Sequence, residues 1–324
     1  MDASREIRKV SVDRIDLKDK TFVFTYGECL EGLLLSLKKI GLVNPPLLRE
    51  KAEEKFQIIS GYKRILALTK LGKREVEALV YKGDEISDPD AFCLNLYENI
   101  GNRALNTIEK SIILNKLLKE FRVKEEEIVC GYLPLLGLSP HKERLSLYLP
   151  LIELEDEIKE ALVKERVSLL VAVKLLELSA EERGEVFGLM MKLRLGLNKQ
   201  REVLTHLWEI SRRDNISILE LVRDDPISKI QADTRLSISQ KAEKIRWILK
   251  KRRFPRLSLA QRSFKEKKDL LKLPANISLK PPPFFEGNKF KIEFSFGTKE
   301  ELKKAAEKLK EISTSCEISE MLMD

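Results

Sequence analysis

The chain has 324 residues, 35% of them charged and only 6% aromatic, with a formal charge of +8. That length calls for two or three domains, and the composition favours well-solvated helical surfaces over an all-β sandwich. The charge is local: Lys241 to Lys272 holds thirteen Lys or Arg against three acids, a local +10 that leaves about −2 for the remainder.

In chain order, "ECLEGLLLSLKKIG" places Leu30, Leu33, Leu34 and Leu37 on one helical face and stops at Gly41. "NPPLLRE" reads as a short strand. A strand–helix–strand unit follows over 56–83, with Gly61 at the turn and Lys63 and Arg64 at the helix start. Unpaired N–H groups and the helix dipole make such a turn an anion site. Cations there are disfavoured by the dipole, so a bound anion explains them better than a solvated helix face does. "DAFCLNLYENI" is helical and leads into the polar turn "GNRALN".

Residues 106–225 read as an all-α domain. Asn106 and Glu109 have capping-box spacing, and Leu114, Leu117, Leu118 and Phe121 form the apolar face behind them. "VKEEEIVCGYLPLLGLSPHKERLSLYLPLIEL" predicts two short helices hinged at "GLS", a helix-turn-helix. Ser139 is the expected N-cap and Pro140 the first helical residue, with the second helix ending before Pro150. Ser139, His141, Lys142 and Arg144 in its first turns are candidates for DNA contact; the bland alternative is the polar face of a core helix. His206 and Trp208 are expected to pack.

Past Asp224-Asp225-Pro226 the organisation is expected to loosen, giving a basic helix and proline-rich linker over 226–283. The basic run is expected to be helical up to Pro255, and "LKPPPFFEGN" too rigid for helix. Lys250, Lys251, Arg252, Arg253 and Arg256, with Trp247 and Phe254 interleaved, suit non-specific DNA contact, although a solvated linker looks similar. Over 284–324, "KFKIEFSF" is a strand and "TKEELKKAAEKLKEI" a helix capped by Thr298. So small an element cannot bury enough surface alone and is expected to pair with a second copy.

Four scattered cysteines without a C-x-x-C pair, and two histidines, exclude a zinc cluster of sequence-local ligands and fit unpaired thiols in a reducing compartment. No apolar run approaches ~20 residues and no apolar signal region opens the chain, so a soluble, cytoplasmic protein without membrane attachment is expected.

Three separated pieces carry a family resemblance. "GLVNPPLLRE…FQIISGYKRILALTKLG…VEALVY" resembles the N-terminal domain of the ParB partition proteins, which share a superfamily with sulfiredoxin. "ENIGNRALNTIE" resembles that family's E-N-[IL]-Q-R-x-x-L-N-P-I-E, and "GNKFKIEFSFGTKEELKKAAEKL" its C-terminal dimerisation domain. The resemblance implies an α+β architecture: a ParB/sulfiredoxin-like α/β domain over 1–105, a helix-turn-helix domain over 106–225, and a strand–helix dimerisation element at the end. It implies a homodimeric, nucleoid-associated DNA-binding protein of chromosome or plasmid partition, gated by CTP with Mg²⁺ as a clamp, with weak CTPase activity and a ParA-type ATPase partner.

By the same resemblance, Gly61, Lys63 and Arg64 grip phosphate, Glu98 and Asn99 meet Mg²⁺ and nucleotide, and Arg103 stands one residue late for the family's Arg. The third Arg of the turn is Leu66 here, Tyr62 replaces a Glu, and Gly101-Asn102 replaces Gln-Arg. Each lost Arg–phosphate contact removes ~1.5–3 kcal/mol, so two losses weaken binding on the order of a hundredfold. A second reading is therefore a DNA-binding regulator or adaptor with a degenerate pocket. A third, a sulfiredoxin-fold kinase, lacks an identifiable base. Thiol redox chemistry is not expected, because sulfiredoxin's reactive Cys would fall at Tyr62.

Overall fold

Alternating and continuous apolar runs build a mixed sheet at the N-terminal end of this α+β chain. The computed structural model describes residues 5–27, 30–52, 55–83, 85–287 and 289–323; Cys29 lies outside them. The elements are β1 (Arg5–Ser11), β2 (Ile15–Asp16), α1 (Glu31–Ile40), β3 (Leu47–Glu50), β4 (Phe56–Ser60), α2 (Tyr62–Lys70), β5 (Glu75–Tyr81) and α3 (Asp88–Asn102). The strand order is β1-β5-β3-β4-β2. Antiparallel pairs β1–β5 and β3–β4 alternate with parallel pairs β5–β3 and β4–β2.

Every residue of β4 is buried, the polar Gln57 and Ser60 along with the apolar Phe56, Ile58 and Ile59. Leu37 of α1 and Ile65 and Leu68 of α2 pack with Leu48, Ile58, Val76 and Val80 of the sheet. α1 ends at Gly41, the stop read from the sequence, at a positive φ of 76° that favours glycine. A second cluster joins Phe22, Phe24, Phe92 and Phe121, with the Phe92 and Phe121 ring centres 4.7 Å apart.

The helical run continues with α4 (Thr107–Asn115), α5 (Glu125–Glu127), α6 (Leu133–Leu135), α7 (Lys142–Tyr148), α8 (Asp156–Val163), α9 (Leu169–Leu176) and α10 (Ala180–Lys192). The Asn106–Glu109 capping box forms in full. Wide π-helical turns follow α4 at Lys116–Glu120 and α5 at Ile128–Tyr132. The second leads directly into α6, so the backbone is already widened where Pro134 lacks a donor.

The hinge between α6 and α7 turns at Gly137, with φ of 70°. The second helix departs from its expected ends. Ser139 is not the N-cap and Pro140 not the first helical residue. His141 takes the cap position with no side-chain cap, and the Ser139 carbonyl accepts the His141 N–H at 2.8 Å. Nor does the helix stop before Pro150: it tightens into a 3₁₀ turn over Leu149–Glu153, whose first turn tolerates a residue without an N–H.

Contact density divides the chain into two units, Met1–Arg183 and Gly184–Asp324, a division that falls inside the segment 106–225. The second unit contains α11 (Leu197–Asp214), α12 (Ile218–Arg223), α13 (Asp225–Ala232), α14 (Ile238–Arg253), α15 (Pro255–Leu270), β6 (Ile277–Lys280), β7 (Lys291–Phe294), α16 (Lys299–Ser313) and α17 (Cys316–Met323). The expected loosening after Asp224 does not occur, because Asp224 and Ser237 cap two further helices. The helix does break at Phe254, just before Pro255, but the second half of the basic run is helical too, with Pro255 opening α15.

The "PPP" stretch does stay out of α-helix, forming one tight turn at Pro283–Phe285. Just before it, β6 pairs antiparallel with β7, Ile277 opposite Phe294 and Leu279 opposite Ile292. The terminal strand and helix thus gain α15 and β6 as companions around Leu271, Leu279, Ile312 and Met321. Among the described residues Cys93, Cys130 and Cys316 are unpaired, no metal-type cluster occurs, and no helix is long and apolar enough to cross a membrane.

α11 and α14 are joined by charge as well as apolar contact. Arg246 pairs with Glu202 at 2.5 Å, Lys199 with Glu243 at 2.7 Å, and the His206 ring nitrogen Nδ1 lies 2.9 Å from Arg253 Nη1. Burial, then the Arg253 guanidinium, holds the His206 imidazole below its ordinary value of 6.5, while Glu202 and Glu209 oppose that shift. The folded state therefore resists a proton that the unfolded chain accepts, so this contribution is complete above about pH 6.5 and is lost as pH falls. Between about pH 7.5 and 5.5, thermal melting should drop further for wild type than for His206→Gln. Equal drops would contradict this assignment.

Candidate functional site: a cavity at a strand-to-helix corner

β4 ends at Ser60 and α2 begins at Tyr62, so the chain must turn within one residue. Gly61 makes that turn at φ of 91°. A Cβ there would sit 2.8 Å from the Pro46 Cβ and 3.0 Å from Arg64 Nε, so only glycine fits. No side chain caps α2, which leaves its first N–H groups without the usual partner.

A cavity of about 240 Å³ opens at this corner, lined by Val23, Thr25, Ile59, Ser60, Gly61, Tyr62, Lys63, Arg64, Asn95, Asn99 and Arg103. Five of the six residues expected to touch nucleotide line it: Gly61, Lys63, Arg64, Asn99 and Arg103. The sixth, Glu98, meets the site through Arg64, its Oε1 2.6 Å from Nη2. Arg64 Nη1 also donates to the carbonyls of Asn44 at 2.7 Å and Pro45 at 3.2 Å.

Arg103 donates Nε to Asn99 Oδ1 at 2.9 Å and Nη1 to Glu109 Oε2 at 2.7 Å. Asn99 in turn donates to Asn95 Oδ1 at 2.8 Å. Both arginines are therefore already neutralised by carboxylates. Lys63 has no ion pair or hydrogen bond among the described residues. Two buried oxygens lack a partner among the described residues, the cavity-lining Ser60 Oγ and the Glu98 Oε2 behind Arg64. Such orphans, beside an uncompensated ammonium, mark a place where a polar ligand would be satisfied.

The segment 20–26 forms one wall of the site and is pinned from several elements. Lys116 Nζ donates to the Lys20 and Thr21 carbonyls at 3.1 Å each, and Asn95 Nδ2 to the Phe22 carbonyl at 2.7 Å. Tyr26 N–H donates to Glu109 Oε1 at 3.3 Å. The Lys20 ammonium lies over the Tyr62 ring, 3.5 Å from its centre, and donates to the phenol oxygen. Ser60, Lys116 and the 20–26 wall were missed from sequence. Ser60 could have been found from its place just before the corner glycine; Lys116 reads as an ordinary polar position of α4's continuation.

The candidate DNA residues fall into separate groups. Ser139, His141 and Lys142 are exposed and Arg144 half-buried on the α7 side of the hinge, while Leu145 and Tyr148 face the core. Lys142 approaches Glu125 and Glu126 at 3.7 and 3.8 Å, long and exposed contacts. In the basic helix, Arg252 and Arg253 are held in ion pairs. Arg252 pairs with Asp224 at 2.9 Å and Asp214 at 3.4 Å, and Arg253 with Glu209 at 2.6 Å. They lie where α14 turns toward α11, so their charge is spent holding helices together. Lys250, Lys251 and Arg256 are exposed and carry no ion pair among the described residues.

Residues 1–100 match the family model of the ParB N-terminal domain. A nucleoid occlusion protein of Bacillus thuringiensis (strain Al Hakam) is 27% identical over 181 residues, 56% of this chain and 59% of that protein. One from Bacillus cereus (strain ATCC 10987 / NRS 248) is 26% identical over the same length. The chain thus spans about three-fifths of the curated relatives it matches. Among solved structures, the C-terminally truncated chromosome-partitioning protein ParB of Caulobacter crescentus complexed with CTP-gamma-S aligns with 22% identity and a TM-score of 0.25, covering 54% of this chain and 93% of that one. The same protein complexed to the centromeric parS site gives 19% identity and a TM-score of 0.35, covering 60% and 96%.

Gly61→Ala should lower the unfolding free energy by about 1–3 kcal/mol in a urea titration, from the strained φ and the close approach to Pro46. A change within the error of the titration would show that the corner is not fixed as described.

Proposed function

We propose that this chain, a ParB-like protein whose residues 1–100 form a ParB N-terminal domain, is a DNA-binding protein of the chromosome partition or nucleoid occlusion type. Its cavity at the strand-to-helix corner takes a nucleotide, for which CTP with Mg²⁺ is the choice implied by the motif resemblance. The observation that carries this is the juxtaposition of unpartnered Lys63 with the orphaned Ser60 Oγ at the N-terminus of α2. A phosphate would satisfy all three features at once.

A divalent cation would have to draw its carboxylate from Glu98, which stands behind Arg64 and outside the cavity lining, with one oxygen on Arg64 and one buried oxygen without a partner among the described residues. When bound, the metal would offset phosphate charge that Lys63 alone cannot balance. Arg64 and Arg103 then have two acceptors competing for them, their own carboxylates and the ligand, so nucleotide affinity is expected to be modest.

DNA contact is assigned to the exposed face of α7 through His141, Lys142 and Arg144. Self-association through the terminal β6–β7 and α16 module, a ParA-type ATPase partner, nucleoid association and a clamp-like cycle with weak CTP hydrolysis complete the proposal. The module's exposed Ile292, Phe294 and Phe296 support self-association. A second reading, a DNA-binding regulator whose cavity no longer binds nucleotide, is favoured by the two arginines already occupied by Glu98 and Glu109.

Isothermal titration decides between the two. CTP with Mg²⁺ should bind, and Lys63→Ala should weaken it about tenfold or more, the scale of one charged hydrogen bond. Absence of heat with any nucleotide would leave the regulator reading. Independently, Lys142→Ala should reduce duplex affinity and lower the salt slope by about one phosphate contact.

A further inference from the structure

The basic helix α14 has two chemically different sides. One side packs on α11 through Ala242, Ile245 and Leu249, with Arg246 and Arg253 turned into carboxylates there. On the other side stand Lys244, Trp247 and Lys251, at i, i+3 and i+7, which is one stripe of a helix. Trp247 is 62% exposed, with the Lys251 ammonium 5.2 Å from its ring centre. Lys250 flanks the stripe, and Arg256 follows at the start of α15. All four cations are exposed and carry no ion pair among the described residues.

The division is informative because the paired and unpaired cations share one sixteen-residue helix. Charges needed for folding have found carboxylates, and the rest surround an open indole. Lysines alone would suit any acidic surface. A wide-open tryptophan between them adds a flat, polarisable face that phosphate backbones do not use and unstacked bases do. In a duplex the base faces are hidden by stacking, so only an unpaired strand can satisfy both halves of the stripe.

We propose that the outer stripe of α14 is a binding face for single-stranded nucleic acid, with Trp247 as the stacking platform and Lys244, Lys250, Lys251 and Arg256 as phosphate contacts. The face is built from residues of the second unit alone, and its existence does not depend on the cavity at Gly61 or on α7 being functional. It sharpens the expected non-specific contact of the basic run in two ways. Arg252 and Arg253 leave the contact set, and the preferred form of nucleic acid becomes the unpaired strand.

The test is fluorescence anisotropy of the full chain with labelled (dT)₂₀ and with a 20-base-pair duplex, across a salt series. Trp247→Ala should weaken (dT)₂₀ binding about tenfold and leave duplex binding within about twofold, with Trp247→Phe recovering most of the loss. The triple change Lys250→Ala, Lys251→Ala and Arg256→Ala should reduce the single-strand salt slope by about two. Lys142→Ala should affect the duplex alone, which keeps failure at α7 distinct from failure here. Unchanged (dT)₂₀ binding in Trp247→Ala, equal loss for strand and duplex, or displacement of (dT)₂₀ by polyglutamate as readily as by unlabelled strand would overturn the proposal.

Discussion

The buried carboxylate of Glu109 is the constraint on which the N-terminal site depends. Its side chain is 2% exposed, yet it accepts hydrogen bonds from the Asn106 N–H, the Tyr26 N–H and the Arg103 guanidinium. A charge at that depth is tolerable only while all its partners are present, since removing one side of a buried pair costs about 3–5 kcal/mol. One residue thereby starts α4, holds the wall at 20–26 and aims Arg103 into the cavity. The capping box that begins the helical run is also the anchor of the site beside it.

A balance of charge follows from that arrangement. Arg64 with Glu98 and Arg103 with Glu109 each sum to zero, so the uncompensated positive charge among the lining residues is that of Lys63, with the Lys20 ammonium behind it over the Tyr62 ring. A site of this kind holds its arginines in place without ligand and gives up little when none is bound. Under the proposed function, a polyphosphate would bring more negative charge than Lys63 offsets, and a counter-cation at Glu98 would be needed to balance it. Specificity for charge and geometry is gained, and raw affinity is given away.

Legibility from sequence followed the range of the interactions involved. Gly61, Lys63 and Arg64 could be read because a strand, a glycine and a helix start are local signals, and all three sit at the corner. Asn106 with Glu109 was readable as a cap for the same reason, although nothing local shows that Glu109 also binds residues 26 and 103. The start of α7 was misplaced because Ser139-Pro140 satisfies cap statistics, while the fold spends those residues on the bend after Gly137. The basic run looked uniform because its neutralising partners Glu202, Glu209, Asp214 and Asp224 lie on α11 and beyond α12, from 28 to 44 residues away. β6 was hidden in what read as a linker, since four residues pair only once β7 is beside them.

Hydrogen exchange with mass-spectrometric readout, on the full chain with and without CTP and Mg²⁺, reaches the central claim most directly. If the corner holds the phosphates and residues 20–26 form its wall, the amides of 61–65 and of 20–26 slow together on addition of ligand. If both segments exchange at their unliganded rates under saturating nucleotide, the corner is a structural turn and no ligand site.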